Sequence, residues 1–436
     1  MKSFPFLSPL TLSACFPSLT PDTLARAFPF SSMDGPLFAA LSGALSHGPD
    51  RPACEAQLAE LARAPGFCSG LLVSRRWSGG EEPRERVNNR ILTPPSPSHP
   101  SSHKRIASAR DAAPHPVRHL AAVQLKNCVT RGWRGPGPGP ASTATAASTS
   151  AITNPEKERL RPGLVSLLLS EPDPGVAAQA ALALSRAARI DWPRAWPGLI
   201  AEIAAAQQQD GSLASRRARL GLHSVLRELA GKRLAVDRRA FAGLAADLLP
   251  PVWASWCAET QALVASLPAS LEAGLGGGGG DAWLLGLKVV RRLLVSGFQG
   301  DGASLEPAAA VVESLPVLIQ ALQAVCAALA GPAGSPAPSP SAARAAACDA
   351  ALSLLKSVRK LAEAHPWACL ASGTLPAAMA VCGQLMGGAD RLAGVASQGA
   401  ASRSASPPGG QPPSPSWPAT AAAVARSAAE LATQAM

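Results

Sequence analysis

Apolar residues recur along this chain at intervals of three and four, the spacing that puts them on one face of an α-helix. Leu37, Leu41 and Leu45 begin the pattern, and Leu58, Leu61, Phe67, Leu71 and Leu72 carry it on. A third stripe runs through Val117, Leu120, Ala121, Leu125 and Val129, in a helix expected over 117–133. The same period predicts helices over 156–170, 174–190, 195–206, 213–230, 237–249, 281–297, 308–330, 342–364, 367–385 and 419–435. No stretch alternates with period two for long enough to build a sheet. Start signals agree with the pattern. Asn154-Pro155-Glu156 reads as a cap, a proline in the first turn and an early acid, and Asp173-Pro174 repeats that logic. Pro193 and Pro197 punctuate the DWPRAWP turn.

Between the helices lie segments too poor in apolar side chains to offset the entropy of ordering them. They are TPPSPSHPSSH at 93–103, GPGPGPASTATAASTS at 135–150, a glycine run at 274–280, GPAGSPAPSPS at 331–341 and ASPPGGQPPSPS at 405–416. Disorder is expected at 74–113, 135–150, 331–341 and 400–416. Helix after helix with turns or loose insertions between them predicts an all-α chain. The architecture expected is an α-solenoid of HEAT/armadillo-type repeats, in which each helix pair buries its stripe on the next.

Composition strengthens this reading. Tyr is absent and aromatics make up 4%, while Ala and Leu dominate, a bias towards helix. The net charge of +11 comes from scattered Arg, with doublets such as Arg216–Arg217 and Arg238–Arg239 that have no aromatic interleaved for base stacking. Direct nucleic-acid binding is therefore not expected. The apolar window at 308–330 contains Glu313, Pro316, Gln320 and Gln323 and reads as a core helix, so no membrane insertion is expected. Nine Cys without a CxxC pair suit a reducing compartment.

Catalytic and cofactor chemistry finds no foothold. Gly276–Gly280 lacks the Gly-Lys-Ser/Thr ending of a phosphate loop. His99, His103, His115 and His119 have no Cys or carboxylate at zinc-like spacing beside them. No nucleophile elbow, zinc-protease motif or paired carboxylates occur. The chain is read as a binding protein: no enzyme, no metal, no cofactor.

Several segments carry a resemblance. EAQLAELARAPGF at 55–67 followed by SGLL, VRHLAAVQLKNCVTRGWR at 117–134, and the stretch from Asn154 to Ile203 with its Asp-Trp-Pro-Arg-Ala-Trp-Pro turn resemble the first three repeats of the importin-β (karyopherin-β) family. GKRLAVDRRAFAGLA at 231–245, LLGLKVVRRLLVSGF at 284–298 and the His365-Pro366-Trp367 step are similar to its importin-eleven branch. Residues 1–32, Ser/Pro/Phe-rich, broken by Pro5, Pro9 and Pro17 and followed by Met33, are read as a disordered or artefactual extension. On the basis of the resemblance, residues 33–134 are read as an N-terminal domain interrupted at 74–113, and 135–153 as a linker. Residues 154–395 form the HEAT solenoid, and 396–436 a low-complexity tail with a short helix. Receptors of the family are longer and acidic overall, so the chain is expected to be the N-terminal portion of one.

The resemblance implies a receptor that shuttles between nucleus and cytoplasm and carries protein cargo inward. It implies binding to Ran in its GTP form and to Phe-Gly nucleoporins. Gln124, Lys126 and Asn127 are its candidate Ran contacts; a solvated helix face is the plainer reading of the same residues. Trp192 and Trp196 are either a buried wedge between helix pairs or a partner contact. The alternative is a HEAT scaffold for protein complexes outside nuclear transport.

Overall fold

The computed structural model describes residues 34–64, 66–73, 114–134, 152–208, 212–273, 279–299, 306–330 and 342–384. The loop expectations at 74–113, 135–150, 331–341 and 400–416, the extension at 1–32 and the helix at 419–435 lie outside these residues. The described residues form helices and no strand. The chain divides into two compact units, 1–121 and 122–436.

In the first unit, α1 (Asp34–Ala44) packs against α2 (Arg51–Leu61). Leu37, Ala40 and Leu41 of α1 and Leu58 of α2 are buried. A side chain at Gly43 would collide with Cys54 Sγ, so only glycine lets the two helices approach this closely. Gly66, at φ +85°, turns the chain into α3 (Phe67–Val73). The unit boundary falls within α4 (His115–Gly132).

The second unit is a two-layer stack. Its helices are α5 (Asn154–Ser170), α6 (Pro174–Asp191), α7 (Leu199–Gln207), α8 (Leu213–Ala230), α9 (Ala235–Ala273), α10 (Gly279–Gly297), α11 (Ala309–Ala330), α12 (Ala342–Ala364), α13 (Pro366–Ala371) and α14 (Leu375–Gln384). Consecutive helices pair as α5/α6, α7/α8, α9/α10 and α11/α12. The second members then pack on one another in sequence, α6 on α8, α8 on α10, and α10 on α12. We call α6, α8, α10 and α12 the B layer and their partners the A layer. This is the expected α-solenoid. The core runs continuously between the layers through Leu160, Leu164, Leu168, Leu184, Leu222, Leu226, Leu287, Leu294, Leu315, Leu354 and Leu361, all buried.

Local signals set the helix ends. The cap of α5 is Thr153, whose hydroxyl accepts from the Glu156 N–H at 3.4 Å; Asn154, read from sequence as the cap, is the first helical residue. Asp173 caps α6 by accepting from Val176 N–H at 2.7 Å, and Ser212 caps α8 through Ser215 N–H at 3.0 Å.

Two helices differ from their expected lengths. The segment expected to stop at 249 continues through Pro250 and Pro251 to Ala273. Val252 and Trp256 lie just beyond the prolines, and both are buried. Burial there outweighs the hydrogen bonds the prolines remove. The helix expected over 367–385 is instead two, α13 and α14, because Gly373 at φ +64° ends the first. The apolar α11 is long enough to cross a membrane. Its stripe Val311, Leu315, Leu318, Leu322 and Val325 is buried against neighbouring helices, which makes it a core helix here.

Candidate partner-binding face

Sequence reasoning singled out α4. Its core side is Leu125, Val129 and, just past its end, Trp133, all buried. Gln124, Lys126 and Asn127 lie between these positions and are half-buried. They therefore border the core and still present polar atoms at the surface. Lys126 also gives its backbone carbonyl to Thr130 Oγ1 at 2.7 Å. The end of α4 is tied to α5, since Ile152 N–H donates to Gly132 O at 3.1 Å and Lys157 Nζ lies 6.0 Å from the Trp133 ring centre.

Trp192 and Trp196 belong to the structure of a turn. They are 8% and 9% exposed. Asp191, which ends α6, holds this turn with three groups at once. Its carboxylate accepts from Arg161 Nη2 at 2.9 Å, and its carbonyl accepts from the N–H groups of Ala195 at 2.7 Å and Trp196 at 3.2 Å. The Trp192–Pro193 peptide is cis. The Trp192 carbonyl in turn accepts from Lys232 Nζ at 3.1 Å, and Lys232 also pairs with Asp237 at the start of α9. Lys232 thus ties the start of α9 to the turn that follows α6.

His115 and His119 stack one turn apart on α4, at 6.2 Å between ring centres. His99 and His103 lie outside the described residues. Among the described residues no group of His, Cys, Asp and Glu could hold a metal ion. Gly279 and Gly280 open α10; the rest of the glycine run is outside the described residues. Six of the eight described cysteines are buried, and Cys54 and Cys257 are half-buried. Burial pushes the Cys326 thiol up to about 12 and Cys369 to about 11, so these thiols stay protonated and unreactive.

A feature invisible to the sequence reading is the division of charge between layers. The four B helices carry thirteen Lys and Arg against five Asp and Glu, whereas the four A helices carry five against eight. The basic excess of the stack is concentrated in one layer. The usable signals in the sequence were the Arg291–Arg292 doublet and the His223/Arg227 spacing of one helical turn.

Comparison with known proteins gives this arrangement its context. Residues 96–170 match the importin-β N-terminal domain, a span that starts inside the stretch read as an insertion and continues through α5. Over 190 residues the chain is 33% identical to Importin-11 of both Mus musculus and Homo sapiens. The matched segments are similar to the importin-β family. That match takes in 44% of this chain, and the chain spans 18% of the length of these relatives. The importin β-like protein kap113 of Schizosaccharomyces pombe is 28% identical over 202 residues, covering 43% of this chain and 18% of its own. The exportin Cse1 in its cargo-free, cytoplasmic state aligns over 80% of this chain and 32% of its own, with TM-score 0.50 and 14% identity, which places the two in the same fold.

Proposed function

We propose that this chain forms the N-terminal repeats of a nuclear transport receptor that carries protein cargo into the nucleus. The observation that carries the reading is the importin-β N-terminal domain match at 96–170, joined to an α-solenoid in a chain that is similar to Importin-11 over 190 residues. In this reading the receptor works by binding alone. Ran in its GTP form contacts α4, where Gln124, Lys126 and Asn127 offer an amide, an ammonium and a second amide beside the buried stripe of the helix. Cargo and Ran exclude each other through negative coupling between their sites. Apolar grooves between helices take Phe-Gly nucleoporin repeats, and the receptor moves between nucleus and cytoplasm. A repeat array suits this, because each pair touches only its neighbours and the stack can change pitch without unfolding.

The test is a titration of the full chain against Ran loaded with GTP and with GDP. Binding that prefers the GTP form, and that falls about tenfold in the double variant Lys126→Ala/Asn127→Ala, supports the reading. A folded chain that treats the two nucleotide states alike overturns it, and the scaffold reading takes its place.

A further inference from the structure

We propose that the neighbouring edges of α8 and α10, built from His223, Arg227, Lys288, Arg291 and Arg292, form a docking surface for an acidic protein segment, one rich in Asp and Glu. This does not rest on Ran binding; either outcome of that titration leaves it standing.

The argument begins with helix geometry. His223 and Arg227 are one turn apart on α8, and Lys288, Arg291 and Arg292 occupy successive turns of α10, which packs directly on α8. All except the exposed Arg227 are half-buried. The five lie close enough together for their charges to interact. Burial, then Lys288, Arg292, Arg291 and Arg227, hold the His223 imidazole down to about 4, and Arg292 is lowered by burial and by Arg227. Partly dehydrating several like charges in one place costs free energy unless a counter-charge arrives.

The fold supplies no such counter-charge. None of the five makes a hydrogen bond or ion pair among the described residues. The acids of the B layer are largely committed elsewhere. Asp191 holds Arg161, Glu228 holds Arg186 at 3.1 Å and Arg189 at 3.4 Å, and Glu363 holds Arg359 and Lys360. Asp281 lies nearly three turns from Arg291 along α10. Elsewhere in the same stack, buried Arg residues do have partners: Arg219 forks onto the Glu259 carboxylate and also donates to Ala282 O at 3.2 Å. The contrast marks the α8/α10 edge as a place where the missing anion comes from outside.

Carboxylates fit better than a nucleic acid. Two adjacent guanidinium forks suit carboxylates on a protein segment, each able to accept two hydrogen bonds. A nucleic-acid track needs rings on which bases can stack. Helix α8 has no Phe, Tyr or Trp, its one imidazole, His223, is half-buried, and Trp283 of α10 is buried, donating to Thr260 Oγ1 at 2.9 Å.

The experiment uses the full chain and two probes of matched charge, a fluorescein-labelled oligo-glutamate peptide and a labelled single-stranded oligonucleotide, read by anisotropy at moderate salt. The peptide is expected to bind, and Arg291→Gln/Arg292→Gln to weaken it about tenfold or more. The control removes the same charge from the A layer, where Arg238 and Arg239 are exposed on α9. Arg238→Gln/Arg239→Gln is expected to change affinity less than about twofold, as unspecific attraction alone would. Because the α10 substitutions relieve repulsion between like charges, their melting temperature should hold or rise, which separates lost binding from lost fold. Equal losses in the two double variants, no peptide binding by the folded chain, or binding of the oligonucleotide in preference to the peptide each overturns the proposal.

Discussion

The stack from α5 to α10 and the stack from α11 to α14 have the same layered plan but are held differently. In the first, polar side chains reach from helix to helix. Arg217 donates to the carbonyls of Glu171 at 2.8 Å and Pro172 at 2.6 Å, Arg189 to Glu228 O at 2.8 Å, and Ser215 Oγ to Gln207 O at 2.8 Å. In the second, polar links between helices are sparse among the described residues. His365 meets Leu294 O at 2.9 Å, while the Ser314 and Ser357 hydroxyls fold back on their own helices. Small apolar residues, Ala347, Ala351, Cys326, Cys348 and Cys382, fill the space instead. Hydrophobic burial holds the layers together in both regions, and directional contacts fix register in only one. Burial is tolerant of sliding and hydrogen bonds are not, so the first region should be the more rigid.

The largest expected effect tests what the regions share. Leu222→Ala in α8 and Leu354→Ala in α12 both empty a fully buried site and should each cost about 2–5 kcal/mol. Urea unfolding followed by circular dichroism checks this. A much smaller cost at Leu354 would mean that α11–α14 repacks loosely around the cavity, sharpening the contrast.

Acid should act next, chiefly on the first region. His223 has its pKa lowered from 6.5 to about 4 by burial and nearby cations, so the folded state favours the neutral ring. Between those values the unfolded chain binds the proton and the folded chain resists it. Stability contributed by the neutral ring is therefore complete above pH 6.5 and is lost as pH falls towards 4, by up to about 3 kcal/mol. His365 is also lowered, first by burial, and adds in the same direction. Melting curves of His223→Gln and His365→Gln between pH 7 and 4 should show the larger flattening for His223→Gln; a larger flattening for His365→Gln would reverse the assignment.

The smallest effect concerns helix starts. Asp173→Ala removes a cap bond of 2.7 Å and should cost about 1 kcal/mol. Helix α13 has no side-chain cap at His365 to lose. Amide exchange in the first turns of α6 and α13 should therefore converge in the variant, with α6 losing the protection it has in the parent.

Fold class was legible because Ala- and Leu-rich stripes with a single period leave few alternatives, and Asp173-Pro174 marks a helix start by itself. The extent of α9 was not. Pro250-Pro251 is a strong local stop signal, and what overrides it, the burial of Trp256 against Trp283, brings together residues 27 positions apart. The candidate face divides the same way. Gln124, Lys126 and Asn127 could be named from one segment and its resemblance. The α8/α10 basic edge could not, because Arg227 and Arg291 are scattered charges until the helices pack.

The tryptophans along α9 and α10 give the protein an optical property. Trp253, Trp256 and Trp283 form a chain of rings 5.4 Å and 5.7 Å apart, and the sequence contains no tyrosine to absorb beside its nine tryptophans. At such separations excitation passes between indoles, so emission from this group reports how closely α9 lies against α10. A change in stack pitch at that joint would be visible in intrinsic fluorescence and its anisotropy, without any label added.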